Sequence, residues 1–92
     1  MNSNKSIDLK RCEIDKLDSL LVNLLVDRFN LSKEISDIKI YDNIDNYDPR
    51  REEKIFENIS NMLKEKGDDD KIEHIISIYN MLLMESKLYQ FK

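Results

Sequence analysis

Apolar residues recur along the first part of the chain at alternating intervals of three and four positions. They are Ile14, Leu17, Leu21, Leu24, Leu31, Ile35 and Ile38. This spacing is typical of the a and d positions of packed helices. Because neither glycine nor proline occurs between Ile7 and Ile40, we expect one long helix over about residues 7–40, preceded by a polar, mobile arm.

One position of this apolar series holds a cation. Arg28 lies where the spacing requires an apolar residue between Leu24 and Leu31. A permanent charge in an apolar seam is costly unless an anion meets it. The sequence therefore poses the question of which anion Arg28 binds.

The middle of the chain contains a loop and a second helix. Residues 41–48 combine Asp and Asn without a helical apolar series, which indicates a loop. Asp48 and Pro49 suit the N-cap and first position of a helix over about residues 49–66, and Gly67 suits its end. Its predicted apolar face consists of Ile55, Phe56, Ile59, Met62 and Leu63.

A third helix is predicted over about residues 70–91. Asp70 and Glu73 have the spacing of a capping box at its start. Its apolar positions include Ile72, Ile75, Ile76, Tyr79, Leu82, Leu83 and Tyr89. The sequence thus predicts an all-α single domain over residues 1–92, with a long, a short and a medium helix.

The length of the first helix predicts self-association. At about 1.5 Å per residue it is ~50 Å long, whereas a compact chain of this size has a diameter of about 30 Å. The helix would extend beyond a monomeric core and expose its apolar series. A symmetric, intertwined homodimer is the commonest solution.

Composition excludes several classes of function. The net charge of −4 argues against general binding to nucleic acid or anionic membranes. No apolar run approaches the length of a membrane span, and the polar first residues lack the apolar region of a signal peptide. Cys12 is the single cysteine and suits a reduced cytosolic thiol, so we expect a cytoplasmic protein.

The sequence offers no standard metal or nucleophile site. With one His and one Cys, neither a metal cluster nor a Cys/His pair is expected, and no glycine-rich phosphate loop occurs. The remaining candidates for a binding site are two cations on one face of the first helix. Arg28 and Lys39 share that face with Ser32 and Ile35, because the four residues follow 4-3-4 spacing. Arg28 and Lys39 are about 16 Å apart along the axis and could bind one small anion between them.

A third cation is too distant to join them within one chain. Arg11 lies about 25 Å from Arg28 along the helix, but in an antiparallel dimer it could reach the partner's anion. The start of the second helix adds Asp48, Arg51 and Glu52, a setting that favours an anion. Ser86 and Gln90 share a face of the third helix. Taken singly, each of these residues is more often a solvated side chain or a cap.

At these residues the sequence resembles the all-helical chorismate mutase family. The matching segments are R-x-x-I-x-x-L-D at Arg11 to Asp18, L-L-x-x-R ending at Arg28, Lys39, D-x-x-R-E at Asp48 to Glu52, and E-S-x-x-x-Q ending at Gln90. Proteins of this family are intertwined homodimers that convert chorismate to prephenate on the route to phenylalanine and tyrosine. No metal or other cofactor is implied.

The resemblance also implies roles for individual residues. Arg28, Arg51 and the partner's Arg11 would bind the two substrate carboxylates, helped by Ser86. Lys39 and Gln90 would donate hydrogen bonds to the ether oxygen. Glu52 and the backbone of Asp48 would hold the ring hydroxyl, while Ile35 and Leu83 would flank the ring.

Two other functions compete with this interpretation. An isochorismate pyruvate lyase has the same fold, and the match at Glu52 and Gln90 favours the mutase over it. A helical dimerisation module without catalysis would explain the apolar series, but not Arg28 within it or the pair of Ser86 and Gln90.

Overall fold

The computed structural model describes residues 2–91 and contains only helices and their connections in that range. Helix α1 spans Ser3–Tyr41, α2 spans Pro49–Glu65 and α3 spans Ile72–Tyr89, with a short 3-10 helix at Asp69–Lys71 before α3. The predicted all-α fold is confirmed. None of the helices in this part of the chain is long and apolar enough to cross a membrane.

Helix α1 begins earlier than the sequence pattern suggested. We expected a mobile polar arm up to residue 6, but the helix begins at Ser3. The side chain of Asn2 accepts a hydrogen bond from the Asn4 backbone N–H at 2.9 Å. Its carbonyl accepts from the Ser6 N–H at 3.1 Å. Asn2 therefore acts as a cap and extends the helix by one turn.

The chain divides after Leu31 into two compact units. The first unit is helical from Ser3 and exposes large apolar side chains along its length. Leu17 is 63% exposed and Leu24 is 64% exposed. Single exposed leucines are ordinary on protein surfaces, but a continuous apolar series indicates a binding surface.

Helix α1 ends in a Schellman motif centred on Asn43. The Ile44 N–H donates to the Lys39 carbonyl at 2.7 Å, and the Asn43 N–H donates to the Ile40 carbonyl at 3.3 Å. Asn43 has a φ of 55°, in the left-handed region that asparagine tolerates better than most residues. These bonds fix the direction in which the 42–48 loop leaves the helix.

Both predicted ends of α2 carry the expected caps. The Asp48 carboxylate accepts from the Arg51 N–H at 3.1 Å, and Pro49 is the first helical residue. At the other end Gly67 has a φ of 75°, and the Asp68 N–H donates to the Leu63 carbonyl at 2.8 Å. Glycine meets this left-handed backbone without a steric cost.

The predicted capping box of α3 is wrong. A 3-10 turn at Asp69–Lys71 precedes the helix, whose N-cap is Lys71 without a side-chain cap. The Asp70 carboxylate instead accepts from the Lys71 ammonium at 3.3 Å, as does Asp68 at 3.1 Å. Hydrogen bonds to Asp68 and then Asp70 raise the pKa of Lys71 above 10.5.

The core of the second unit lies between α2 and α3, which pack against each other and against the 3-10 turn. Ile59 on α2 and Leu82 on α3 are buried. Other residues of the predicted apolar faces are half-buried: Ile55, Phe56, Leu63, Ile72, Ile75, Ile76, Tyr79, Leu83 and Tyr89. Met62 differs, because its side chain is 58% exposed.

Candidate active site

The last turn of α3 brings Gln90 to the C-terminal part of α1. Gln90 directly follows Tyr89 and keeps helical backbone angles, and its N–H donates to the Ser86 carbonyl. Its side-chain Nε2 donates to Ser32 Oγ at 2.8 Å. This bond joins residues 58 positions apart in sequence. It places an amide group on the face of α1 that carries Ser32.

Lys39 lies on that same face of α1. It follows Ser32 by two helical turns, which corresponds to about 10 Å along the axis and almost no rotation. Lys39 is half-buried, and no carboxylate lies within ion-pair distance of it in the described range, 2–91. A partly buried ammonium without a local counterion favours an anionic or polarised oxygen ligand.

Asn46 connects the 42–48 loop to this face. Its Nδ2 donates to Gln90 Oε1 at 3.0 Å and to Ser36 Oγ at 3.1 Å. Ser36 is the most buried polar residue in the described chain, at 2% exposure. Sequence reasoning missed Asn46 and Ser36, since an asparagine in an acidic loop and a helical serine carry no local signal of a shared contact.

An ion pair joins the first turn of α2 to the last turn of α3. Lys87 Nζ lies 2.5 Å from Glu52 Oε1. The Glu52 side chain is 35% exposed and that of Lys87 is 58% exposed. Lys87 was also missed, because a lysine on a helix surface is usually solvated and its pairing depends on how α2 and α3 pack.

The N-terminus of α2 presents Asp48 and Arg51. Both residues are exposed, and the Asp48 carboxylate caps the helix by accepting a hydrogen bond from the Arg51 N–H. Free N–H groups at a helix N-terminus attract an anion or a polarised oxygen. The guanidinium of Arg51 adds a cation to this end of the helix.

The remaining predicted residues differ in their surroundings. Ser86 is 4% exposed and Leu83 is half-buried, whereas Ile35 is 54% exposed. In the first unit, Arg11 is exposed and Arg28 is half-buried.

Within the second unit, the last turn of α3 therefore contacts three other parts of the chain. It contacts α1 through Gln90 and Ser32, the loop through Gln90 and Asn46, and α2 through Lys87 and Glu52. Of the predicted residues, Gln90 and Glu52 take part in these contacts, and Lys39 lies two helical turns after Ser32 on the same face of α1. Chemically, the arrangement offers hydrogen-bond donors, a cation and a carboxylate acceptor.

Comparison with known proteins identifies the family. The profile of chorismate mutase type II matches residues 10–91, which is most of the chain. The chain belongs to the chorismate mutase type II family. A chorismate mutase from Methanocaldococcus jannaschii is 32% identical over 80 residues, covering 87% of this chain and 79% of the relative. No solved structure gave a significant match.

Membership of the chorismate mutase family makes this chain an enzyme of the isomerase class. The matched range includes the helices and connections that carry Lys39, Glu52 and Gln90. It also begins just before Arg11, the first residue of the predicted motif set.

Proposed function

We propose that this chorismate mutase rearranges chorismate to prephenate with Lys39 and Gln90 as the donors to the breaking ether bond. The observation that carries this assignment is the hydrogen bond from Gln90 Nε2 to Ser32 Oγ. It holds the Gln90 amide on the face of α1 that also carries Lys39. The two side chains are long enough to converge on one oxygen between them.

The chemistry of the rearrangement suits such a pair of donors. The ether C–O bond breaks while a C–C bond forms within the same molecule, so no proton is transferred and no nucleophile is needed. Negative charge grows on the ether oxygen in the transition state. Donors fixed at that oxygen stabilise the transition state more than the ground state, and each is worth roughly 10²–10³ in rate.

The carboxylates of the substrate require cations in fixed positions. We propose that Arg51 and Arg28 of one chain and Arg11 of the partner subunit bind the two substrate carboxylates, with help from Ser86. The family pattern supports all four, and the exposed guanidinium at the start of α2 supports Arg51 in particular. Holding both carboxylates selects the folded conformer in which the reacting carbons approach each other.

We assign the binding of the substrate's ring hydroxyl to Glu52 and the backbone of Asp48. A carboxylate accepts a hydrogen bond from a hydroxyl, and the ion pair with Lys87 holds the Glu52 side chain in place. Leu83 and Ile35 are proposed to flank the ring. The exposure of Ile35, at 54%, leaves its side chain open to a ligand or to a second chain.

The proposed assembly is a homodimer joined through the apolar series of α1. Ile14, Leu17, Leu21, Leu24 and Leu31 are each more than half exposed in the single chain. A second copy of the same helix would cover them, and self-complementary surfaces of this kind form two-fold dimers. An antiparallel arrangement would also carry Arg11 into the partner's site.

We further propose that the protein works in the cytoplasm. The exposed free thiol of Cys12 supports this location, because reducing compartments keep such thiols unpaired. Thiol-trapping of Cys12 in freshly lysed cells checks it. A mixed or intermolecular disulfide on most of the protein would contradict the assignment.

The decisive experiment mixes the purified protein with chorismate and identifies the product. We expect chorismate to disappear and prephenate to accumulate in equal amount. Isochorismate is the control substrate, and release of pyruvate from it would indicate the lyase instead. If neither compound is consumed, the proposed function is wrong, and the result supports the alternative of a dimerisation module.

A further inference from the structure

Four uncharged polar side chains form a continuous hydrogen-bonded chain in the second unit. Gln90 Nε2 donates to Ser32 Oγ at 2.8 Å, and Gln90 Oε1 accepts from Asn46 Nδ2 at 3.0 Å. Asn46 Nδ2 also donates to Ser36 Oγ at 3.1 Å. Both ends of the Gln90 amide are thus engaged by protein groups.

The orientation of this amide decides whether Gln90 can act. A side-chain amide has an NH2 group that only donates and an oxygen that only accepts. Turning it by 180° exchanges the two at nearly the same positions. Only the orientation that presents an N–H to the ether oxygen supplies the donor that the rearrangement needs. The reversed orientation would direct an oxygen lone pair at an oxygen that is gaining negative charge.

Ser32 does not select between these orientations. A hydroxyl group both donates and accepts, so Ser32 can pair with either end of the amide. Asn46 discriminates, because its NH2 group faces Gln90 Oε1 and would meet another NH2 group if the amide turned. The second acceptor of Asn46 is Ser36, which is 2% exposed and holds the position of Asn46 on α1, so the amides of Asn46 and Gln90 keep one relative orientation and neither can turn alone.

We propose that Asn46 is a positioning residue that fixes the orientation of the Gln90 amide for catalysis. This inference rests on the proposed role of Gln90 as donor to the ether oxygen. Nε2 carries two hydrogens, of which one goes to Ser32 and the other is left for the substrate. The loop between α1 and α2 therefore contributes to the reaction through Gln90, without touching the reacting atoms.

The test is the near-isosteric change Asn46→Asp. An ionised carboxylate only accepts hydrogen bonds, so it would draw Nε2 toward itself and turn the amide. We expect kcat to fall by about 10²–10³ at pH 8, the loss of one donor, with a much smaller change in KM. Near pH 4 about half of the carboxyl groups are protonated and donate again, so up to about half of kcat relative to wild type should return.

Two further variants separate orientation from other effects. Asn46→Ala removes the orienting contact without imposing the reversed amide, so its loss of kcat should be several-fold and independent of pH. Asn43→Asp places the same charge in the same loop without a recorded contact to Gln90, and its kcat should stay within about twofold of wild type. An equal, pH-independent loss in Asn46→Asp and Asn46→Ala would overturn the proposal.

A double-mutant cycle distinguishes failure of this inference from failure of the proposed function. In a Gln90→Ala background, Asn46→Asp should cause no further loss, because there is no amide left to orient. Additive losses would show that Asn46 acts independently of Gln90 and would refute the inference. Full activity of Gln90→Ala itself would instead refute the role of Gln90 from which the inference starts.

Discussion

Gln90 combines two requirements in one side chain. Its amide accepts a hydrogen bond from Asn46 and donates one to Ser32, and in the proposed mechanism its second N–H serves the substrate. Glutamate has almost the same shape but loses its donor when it ionises. If Gln90 has the proposed role, the residue at this position determines how activity depends on pH.

We predict that Gln90→Glu confines activity to low pH. A carboxyl group donates to the ether oxygen only while protonated, so kcat should be greatest below about pH 5 and fall by at least tenfold per two pH units above it. The pH–rate profile of the variant checks this against Gln90→Ala, which should be slow at every pH. A flat profile for Gln90→Glu would contradict the assigned role.

Arg51 has a matched control beside it in the sequence. Arg50 and Arg51 both lie in the first turn of α2 and both are exposed, but only Arg51 belongs to the predicted site. We predict that Arg51→Ala lowers kcat/KM at least 100-fold, because a carboxylate loses a charged ligand. Arg50→Ala should retain activity within about threefold. Similar losses in the two variants would indicate a general effect of net charge.

At the scale of the elements, local sequence signals and tertiary contacts differ in what they reveal. Asp48 and Gly67 could be identified from the sequence, because each cap depends on its own backbone and a few neighbours. The start of α3 could not, because Asp68, Asp69 and Asp70 offer three adjacent acidic caps of equal quality. In the structure the carboxylates of Asp68 and Asp70 accept hydrogen bonds from Lys71, and neither caps α3.

The same distinction applies to the site. Lys39, Glu52 and Gln90 were assigned to the candidate site because their spacing matches a known family pattern, and their roles stay predictions. Asn46 and Lys87 could not, since each becomes relevant only when α3 has packed against the loop and α2. A tertiary contact between polar residues leaves no periodic signal in a single sequence.

The turn after α2 tests whether the left-handed backbone conformation at Gly67 requires glycine. Gly67 has a φ of 75°, and an added Cβ would meet no atom within 4 Å. Gly67→Ala should therefore destabilise the fold by about 1 kcal/mol through backbone strain alone. Urea unfolding at one fixed protein concentration measures it. Lys66→Ala, one residue earlier in ordinary helical geometry, should leave the unfolding midpoint nearly unchanged.

At the scale of the whole molecule, the exposed apolar series and the distribution of cations point to the same assembly. In the proposed dimer a second chain covers leucines that are more than half exposed in one chain, and it supplies the Arg11 that the family resemblance implies. One antiparallel contact between two copies of α1 would satisfy both. Dimerisation would then be a requirement for activity rather than only for stability.

Mixing two inactive variants tests this shared site. Arg11→Ala and Arg28→Ala should each be nearly inactive as pure dimers, while both remain dimeric. After the two chains are unfolded and refolded together, random pairing gives half mixed dimers, and each mixed dimer has one intact site. About a quarter of wild-type activity should return, measured as chorismate consumed per total protein.

A second mixture provides the matched control. Arg28 and Arg51 are proposed to serve the same site from the same chain, so a mixed dimer of Arg28→Ala and Arg51→Ala contains one defect in each site. No activity should return from that pair, although its chains exchange in the same way. Recovery in both mixtures would show that Arg28 and Arg51 come from different chains. Recovery in neither, with mixed dimers present, would place Arg11 in the site of its own chain.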